Sequence, residues 1–334
     1  MKLFYNDYFT FMAERNYSID VLKFICAVLV VIIHTEWNYQ QLVLPIAKCA
    51  VPCFFIISGY LLFDKTGIKP ERLNRNLIHI GKITLGASFL FIFLKEILNV
   101  IRHSSLWMPS FNDLVVWIVF NVTPFAYHLW YLYAYLYVLI IITIVNKYGK
   151  WRVLYWITPV LLIADLSLGK YSLLLWGWEL PYFYLLNYLF VGLPYFAIGT
   201  MIKGKADYII GTFNKITLCG YTILFTLALY MEKFILLYLE KNPSREHYIS
   251  STFLSVFIIL VALSIKTNNK SVLSKLGEKD SLYIYVFHPI FVTCCTILFG
   301  KMQLSGFYMY FSPIIVICLT IVFIKSIRRV GLIT

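Results

Sequence analysis

Charge is what this sequence has least of. Only 13% of its 334 residues are charged, while 60% are hydrophobic; a soluble domain carries about a quarter charged residues. That shortage excludes an ordinary soluble chain and places the sequence in the membrane class. Cysteine is present without a pattern. Cys26, Cys49, Cys53, Cys219, Cys294, Cys295 and Cys318 all fall inside apolar runs, with no CxxC or zinc-type spacing. They read as packing residues, so neither a disulfide framework nor a metal site is expected. Walker, GxGxxG and metalloprotease signatures are missing too. No cleavable leader is expected, because the first apolar run lacks a small-residue cleavage site and many runs follow it. No long internal repeat is visible, which counts mildly against a transporter built from duplicated halves.

What is present is a series of apolar runs near 20 residues, the length that crosses a bilayer as a helix. They predict an all-α fold, a polytopic membrane helix bundle of about ten spans: 18–36, 42–63, 77–100, 125–145, 152–168, 183–202, 208–230, 248–265, 281–300 and 306–326. Residues 105–124 read as an interfacial or re-entrant piece, 171–182 as aromatic structure near the outer interface, and 1–17 as a cytoplasmic or interfacial segment. With the N-terminus inside, 20 of the 29 basic residues fall in cytoplasmic segments, six in outer ones and three (Lys23, Lys48 and Lys95) within spans. The positive-inside rule therefore predicts both termini in the cytoplasm. It also accounts for most of the formal charge of +13 without a nucleic-acid partner. No appended soluble domain is expected, so chemistry is expected in the bundle or at its two surfaces.

Ionisable residues inside spans are costly and are functional candidates by default. In KFICAVLVVIIHTE, Lys23 and His34 are eleven residues apart, about three turns. They share one helix face, separated by roughly 16 Å of rise. Lys23 reads equally as a snorkelling lysine paired with Asp20 at i, i+3, and His34 as an interfacial histidine bonded to a carbonyl. Arg72 and Arg75 begin the helix after span two, where two guanidinium groups could clamp phosphates; the plainer reading is a positive-inside anchor. His128 lies at the outer end of span four in HLWYLYAYLY, among aromatics suited to an interfacial belt or a sugar-binding surface. His288 stands part-way into span nine before a kinking proline, where a packed, hydrogen-bonded histidine is the plainer alternative. Ser58 and Gly59 favour close helix packing over nucleophilic chemistry. His79, His103 and His247 are expected at surfaces.

In this order, SIDVLKFICAVLVVIIH, VPCFFIISGYLLF, ERLNRN, HLWYL, FAIGTMI and LGEKDSLYIYVFHPIF resemble the acyltransferase-3 family of bacterial integral-membrane acyltransferases. The likeness runs from about residue 15 to near the C-terminus, so 18–334 is expected to be an acyltransferase-3-like transmembrane domain. Lys23 and His34 match the family's basic residue, ten residues, then histidine. Lysine replaces the usual arginine, keeping the charge and losing the fork. The family's Arg-x-x-Arg falls on Arg72 and Arg75. Some members add a C-terminal hydrolase-like domain, for which this chain is expected to be too short.

The resemblance implies an acyl-CoA donor, acetyl-CoA or another, used from the cytoplasm without a metal. It implies a glycan or lipid-linked saccharide acceptor on the other side of a bacterial cytoplasmic membrane. Lys23, Arg72 and Arg75 would hold the donor, and His34 would act as general base. His128 or His288 would orient the acceptor or stabilise an oxyanion, and a covalent acyl-histidine is a variant. The main rival is an exporter moving a polysaccharide or lipid-linked glycan without acylating it. An unrelated intramembrane class using histidine with asparagine fits the ordered motifs less well, and a purely structural scaffold is the bland alternative.

Overall fold

The computed structural model describes residues 16–64, 66–103, 106–243, 245, 247–265, 267 and 269–331, with the side chains of 102 and 103 excepted. Residues 1–15 of the expected N-terminal segment, with Lys2 and Arg15, lie outside this set, as do Lys65, Lys266 and the side chains of Arg102 and His103. Every regular element among the described residues is helical. In chain order they include α1 (Tyr17–His34), α2 (Gln40–Ala47), α3 (Ala50–Leu62), α4 (Pro70–His103), α5 (Phe111–Phe120), α6 (Trp130–Lys147) and α7 (Trp151–Leu168). There follow α8 (Ser172–Leu175), α9 (Leu193–Thr212), α10 (Lys215–Tyr238), α11 (Ile249–Ser264), α12 (Val272–Lys279), α13 (Ser281–Lys301) and α14 (Ser305–Arg329). Among these residues eight segments are long and apolar enough to cross a membrane, α2 and α3 counting as one. Ile216, Leu227 and Phe234 of α10 are all more than half exposed. Lipid satisfies such a surface and water does not. The protein is a polytopic helical membrane protein.

The two remaining expected spans are helical but fall short for physical reasons. The run at 248–265 is α11, apolar but only 16 residues long. The run at 183–202 opens with a short 3-10 turn and a π-helix over Tyr188–Gly192; the α-helical part begins at Leu193 and continues to Thr212 through Lys203, Lys205 and Asp207. The next helix accordingly starts at Lys215, not 208, because the side chain of Asn214 caps it by accepting from the Thr217 amide at 2.8 Å. Expected span two is also divided. Pro52 has no N–H for the carbonyl of Lys48, and the helix breaks at Lys48–Cys49.

The core centres on α3 crossing α9. A β-carbon on Gly59 would stand 2.1 Å from the Phe196 carbonyl oxygen, and one on Gly199 2.1 Å from that of Ile56. The helices therefore meet backbone to backbone, the close approach that small residues permit in membranes. Ser58 donates to the Phe54 carbonyl one turn back at 2.8 Å, so its hydroxyl is engaged within its own helix. On the other flank α1 packs against α12, where a β-carbon on Gly277 would fall 1.6 Å from the Asp20 carbonyl oxygen. Between these crossings α1 also touches α3 and α13, which places its polar ends beside the cavities described next.

Candidate functional site

Hydrogen bonds fix α1 at both ends. Asn16 caps its start by accepting from the Ser18 amide at 3.0 Å, and Asn16 Nδ2 donates to Leu263 at the end of α11. At the other end, Gln40 Nε2 donates to the carbonyls of Ile32 and Ile33 at 3.1 and 2.9 Å, filling acceptors the helix leaves open. Lys23 and His34 are thus held about 16 Å apart in rise on one rigid element.

Lys23, Arg72 and Arg75 all line one cavity of about 650 Å³, with Ser58, Asn76 and Tyr285. Lys23 Nζ lies 3.0 Å from Asp20 Oδ1, the i, i+3 pair read from the sequence. Arg72 donates to the Leu61 carbonyl and stands 3.6 Å from Asp64. Arg75 is exposed on the same turn of α4. His79, expected at a surface, is exposed and lines this cavity too.

His34 and His128 line a second, smaller cavity of about 100 Å³, and Tyr285 lines both. His288 lies between the two other histidines: its ring centroid is 5.2 Å from that of His34 and 6.0 Å from that of His128. Two helices, α1 and α13, and the 3-10 turn Tyr127–Leu129 that leads into α6, far apart in sequence, therefore converge on one histidine cluster. His288 Nδ1 donates to the Ile284 carbonyl at 3.0 Å. A carbonyl only accepts, so the proton sits on Nδ1 and a neutral ring carries its lone pair on Nε2. That Nε2 and the Nε2 of His128 are buried without a hydrogen-bond partner among the described residues. Phe91 packs edge-on against His128 at 4.6 Å, and the Tyr285 hydroxyl donates to the His128 carbonyl.

One group here went unread in the sequence. His247, expected at a surface, is buried beside the histidine cavity. The Asp165 carboxylate, with no exposed surface, accepts from Arg245 on one oxygen and from His247 Nδ1 on the other. The Tyr195 hydroxyl bonds His247 Nε2, and Thr252 lies 3.0 Å from the Tyr195 oxygen. Arg245, His247 and Tyr195 all line the cavity that holds His34. Gly169 makes room, since a β-carbon there would meet Arg245 Cδ at 2.8 Å. Lys170, also fully buried, ties the same segment down by donating to the Pro243 carbonyl at 3.0 Å. The one available signal was an aspartate at 165 inside an apolar run; its partners are 80 and 82 residues away. Among the described residues no cluster suits a metal ion.

Comparison with known proteins adds the following. The family model described as "Acyltransferase domain", acyltransferase-3, matches residues 16–326. An amino-acid racemase of Enterococcus faecalis is 30% identical over 148 residues, covering 41% of this chain and 20% of that protein. The match thus spans about a fifth of that relative's length. No solved structure gives a significant match.

Proposed function

The chain belongs to the acyltransferase-3 family and is an integral-membrane acyltransferase; from that premise we propose that it carries an acyl group, acetyl in the simplest case, from cytoplasmic acyl-CoA to a hydroxyl of an extracytoplasmic glycan or lipid-linked saccharide. The observation that carries this reading is the pair of cavities at the two ends of α1, basic at one and histidine-lined at the other, with Tyr285 in both walls. The enzyme sits in a bacterial cytoplasmic membrane with both termini inside, as the distribution of lysine and arginine supports.

CoA is a polyanion joined to its thioester by a thin pantetheine arm. Arg75, Arg72 and Lys23 hold the phosphates, and the arm passes Tyr285 so that the thioester arrives at His34. His34, as a neutral imidazole, takes the proton of the acceptor hydroxyl while that oxygen attacks the thioester carbonyl. The tetrahedral intermediate collapses by breaking the C–S bond, and the proton on His34 passes to the departing CoA sulfur. His288 offers Nε2 as an acceptor, which suits orienting the hydroxyl and not donating to an oxyanion. His128 is then the histidine left to stabilise the oxyanion.

The test uses purified protein in liposomes, with acetyl-CoA on the arginine side and glycan on the other, and reads free CoA thiol together with acylated glycan. His34→Ala is expected to lower turnover by roughly 10²- to 10⁴-fold. Full activity in that variant overturns the base assignment, and no thiol release from the unaltered protein overturns the reaction.

A further inference from the structure

The histidine cavity is more strongly charged than acyl transfer to a neutral sugar calls for. Its wall contains Lys48 and Arg245, and among the described residues no aspartate or glutamate lines it. Both cations flank the same ring: Lys48 Nζ is 5.9 Å and Arg245 Cζ 5.6 Å from the centroid of Tyr182. Among the described residues only Arg245 of the two has a counter-charge, and Asp165 takes it from behind, through Nη2. Arg245 is only 4% exposed, its Nε lies against Gly169, where a β-carbon would stand 3.1 Å away, and its guanidinium joins the cavity wall. Lys48 has its ammonium beside the Tyr182 ring and no ion pair among the described residues. It stands at the α2–α3 break that Pro52 imposes, held partly buried within an apolar span. Asp165 neutralises Arg245, which leaves Lys48 as a cation in a low-dielectric wall without a counter-charge among the described residues, an unfavourable arrangement that an anionic ligand would relieve.

We infer that this cavity recognises an anionic group of the acceptor, a carboxylate or a phosphate, held by Lys48 Nζ and the guanidinium of Arg245. The group docks against Tyr182 and sets a neighbouring hydroxyl of the same molecule beside His34. Asp165 positions Arg245 from behind, and His247 holds Asp165 in turn. This deepens the acyltransferase reading and rests on it for the identity of the ligand as acceptor, but binding itself needs no donor.

The experiment therefore leaves acetyl-CoA out. The full chain in nanodiscs is titrated with glucose, glucuronate and glucose 6-phosphate, and binding is followed by calorimetry and thermal unfolding. At least one anion should bind saturably where glucose does not. Binding by glucuronate alone assigns a carboxylate, by the phosphate alone a phosphate, and by both a charge-selective site indifferent to shape. Lys48→Met should weaken the anion by roughly thirtyfold or more, the lower end for removing one partner of a buried charge pair, and Lys48→Arg should restore it. Equal binding of glucose, no binding of either anion, or anion binding unchanged in Lys48→Met each overturns the inference. The comparison of the three sugars on the unaltered chain stands even if a variant fails to fold. Thiol release without anion selectivity would sink this inference and leave acyl transfer standing; selectivity without thiol release would do the reverse.

Discussion

Arg72 and Arg75 look equivalent in the sequence, yet their surroundings divide them. Arg72 is already bound to the Leu61 carbonyl and lies near Asp64, whereas Arg75 is exposed in the cavity wall. A charge-assisted bond to phosphate contributes about 1.5–3 kcal/mol. Arg75→Ala is therefore expected to raise KM for acetyl-CoA by roughly 10- to 100-fold with little change in Tm. Arg72→Ala should show the smaller KM effect and the larger fall in Tm, and the reverse ordering in paired kinetics and melting would refute the division. Asp165 makes a second residue-scale case. Removing one member of a buried ion pair costs about 3–5 kcal/mol, while replacing both by apolar groups costs far less. Asp165→Leu alone should sharply lower the urea midpoint, and adding Arg245→Met should recover much of that loss. Asp165 stood out only as a charge inside an apolar run, and its pairing with Arg245 was not legible, because nothing in local spacing links positions 80 residues apart.

At the scale of elements, glycines separate two kinds of helix surface. Gly59, Gly199 and Gly277 sit where backbones touch, while a β-carbon on Gly86 or Gly220 would meet nothing within 4 Å. Gly→Ala in an open helical position removes a conformational-entropy cost of roughly 0.5–1 kcal/mol. Gly220→Ala should thus stabilise modestly, and Gly277→Ala should lower Tm by pushing α12 off α1. Melting curves of the two variants should shift in opposite directions. A pH effect belongs to α5, the expected interfacial piece. Asp113 accepts from the Ser110 hydroxyl at 2.7 Å and the Ser110 amide at 2.9 Å, completing a capping box. Those donors hold its carboxyl below the ordinary carboxylate value. The sign follows: the cap is intact above the unfolded value, about 3.9, and is lost only as pH falls through the lower folded value. Carbon-13 titration of Asp113 should move towards the ordinary value in Ser110→Ala, and an unmoved titration would remove the cap as its cause. Helices were legible wherever apolar length alone decides. Their ends at 48–49, 193 and 214 were not, since they depend on Pro52, a π-turn and the cap of Asn214.

For the whole molecule the central question is sidedness. Of the site, the sequence carried the residues whose order marks the family: His34, His128 and His288 cluster, and Lys23, Arg72 and Arg75 line one wall. It did not carry Arg245, His247 and Tyr195, which enter the same cavity from a loop and a helix without motif spacing. The proposed reaction requires the arginine cavity and the histidine cavity to open to opposite compartments, with Tyr285 at their shared wall. Asn74, on α4 next to Arg75, and Lys241, in the loop that leads to Arg245, are both exposed. In intact bacterial cells a membrane-impermeant maleimide should label Lys241→Cys at once and Asn74→Cys only after the membrane is permeabilised. The exposed Cys294 and Cys318 lie within the apolar helices α13 and α14, so the unaltered chain supplies the background. Labelling of both engineered positions from outside would place the two cavities on one face. The donor would then have to reach His34 without crossing the bundle, and the α1 face from Lys23 to His34 would lose its role as the wall of a passage.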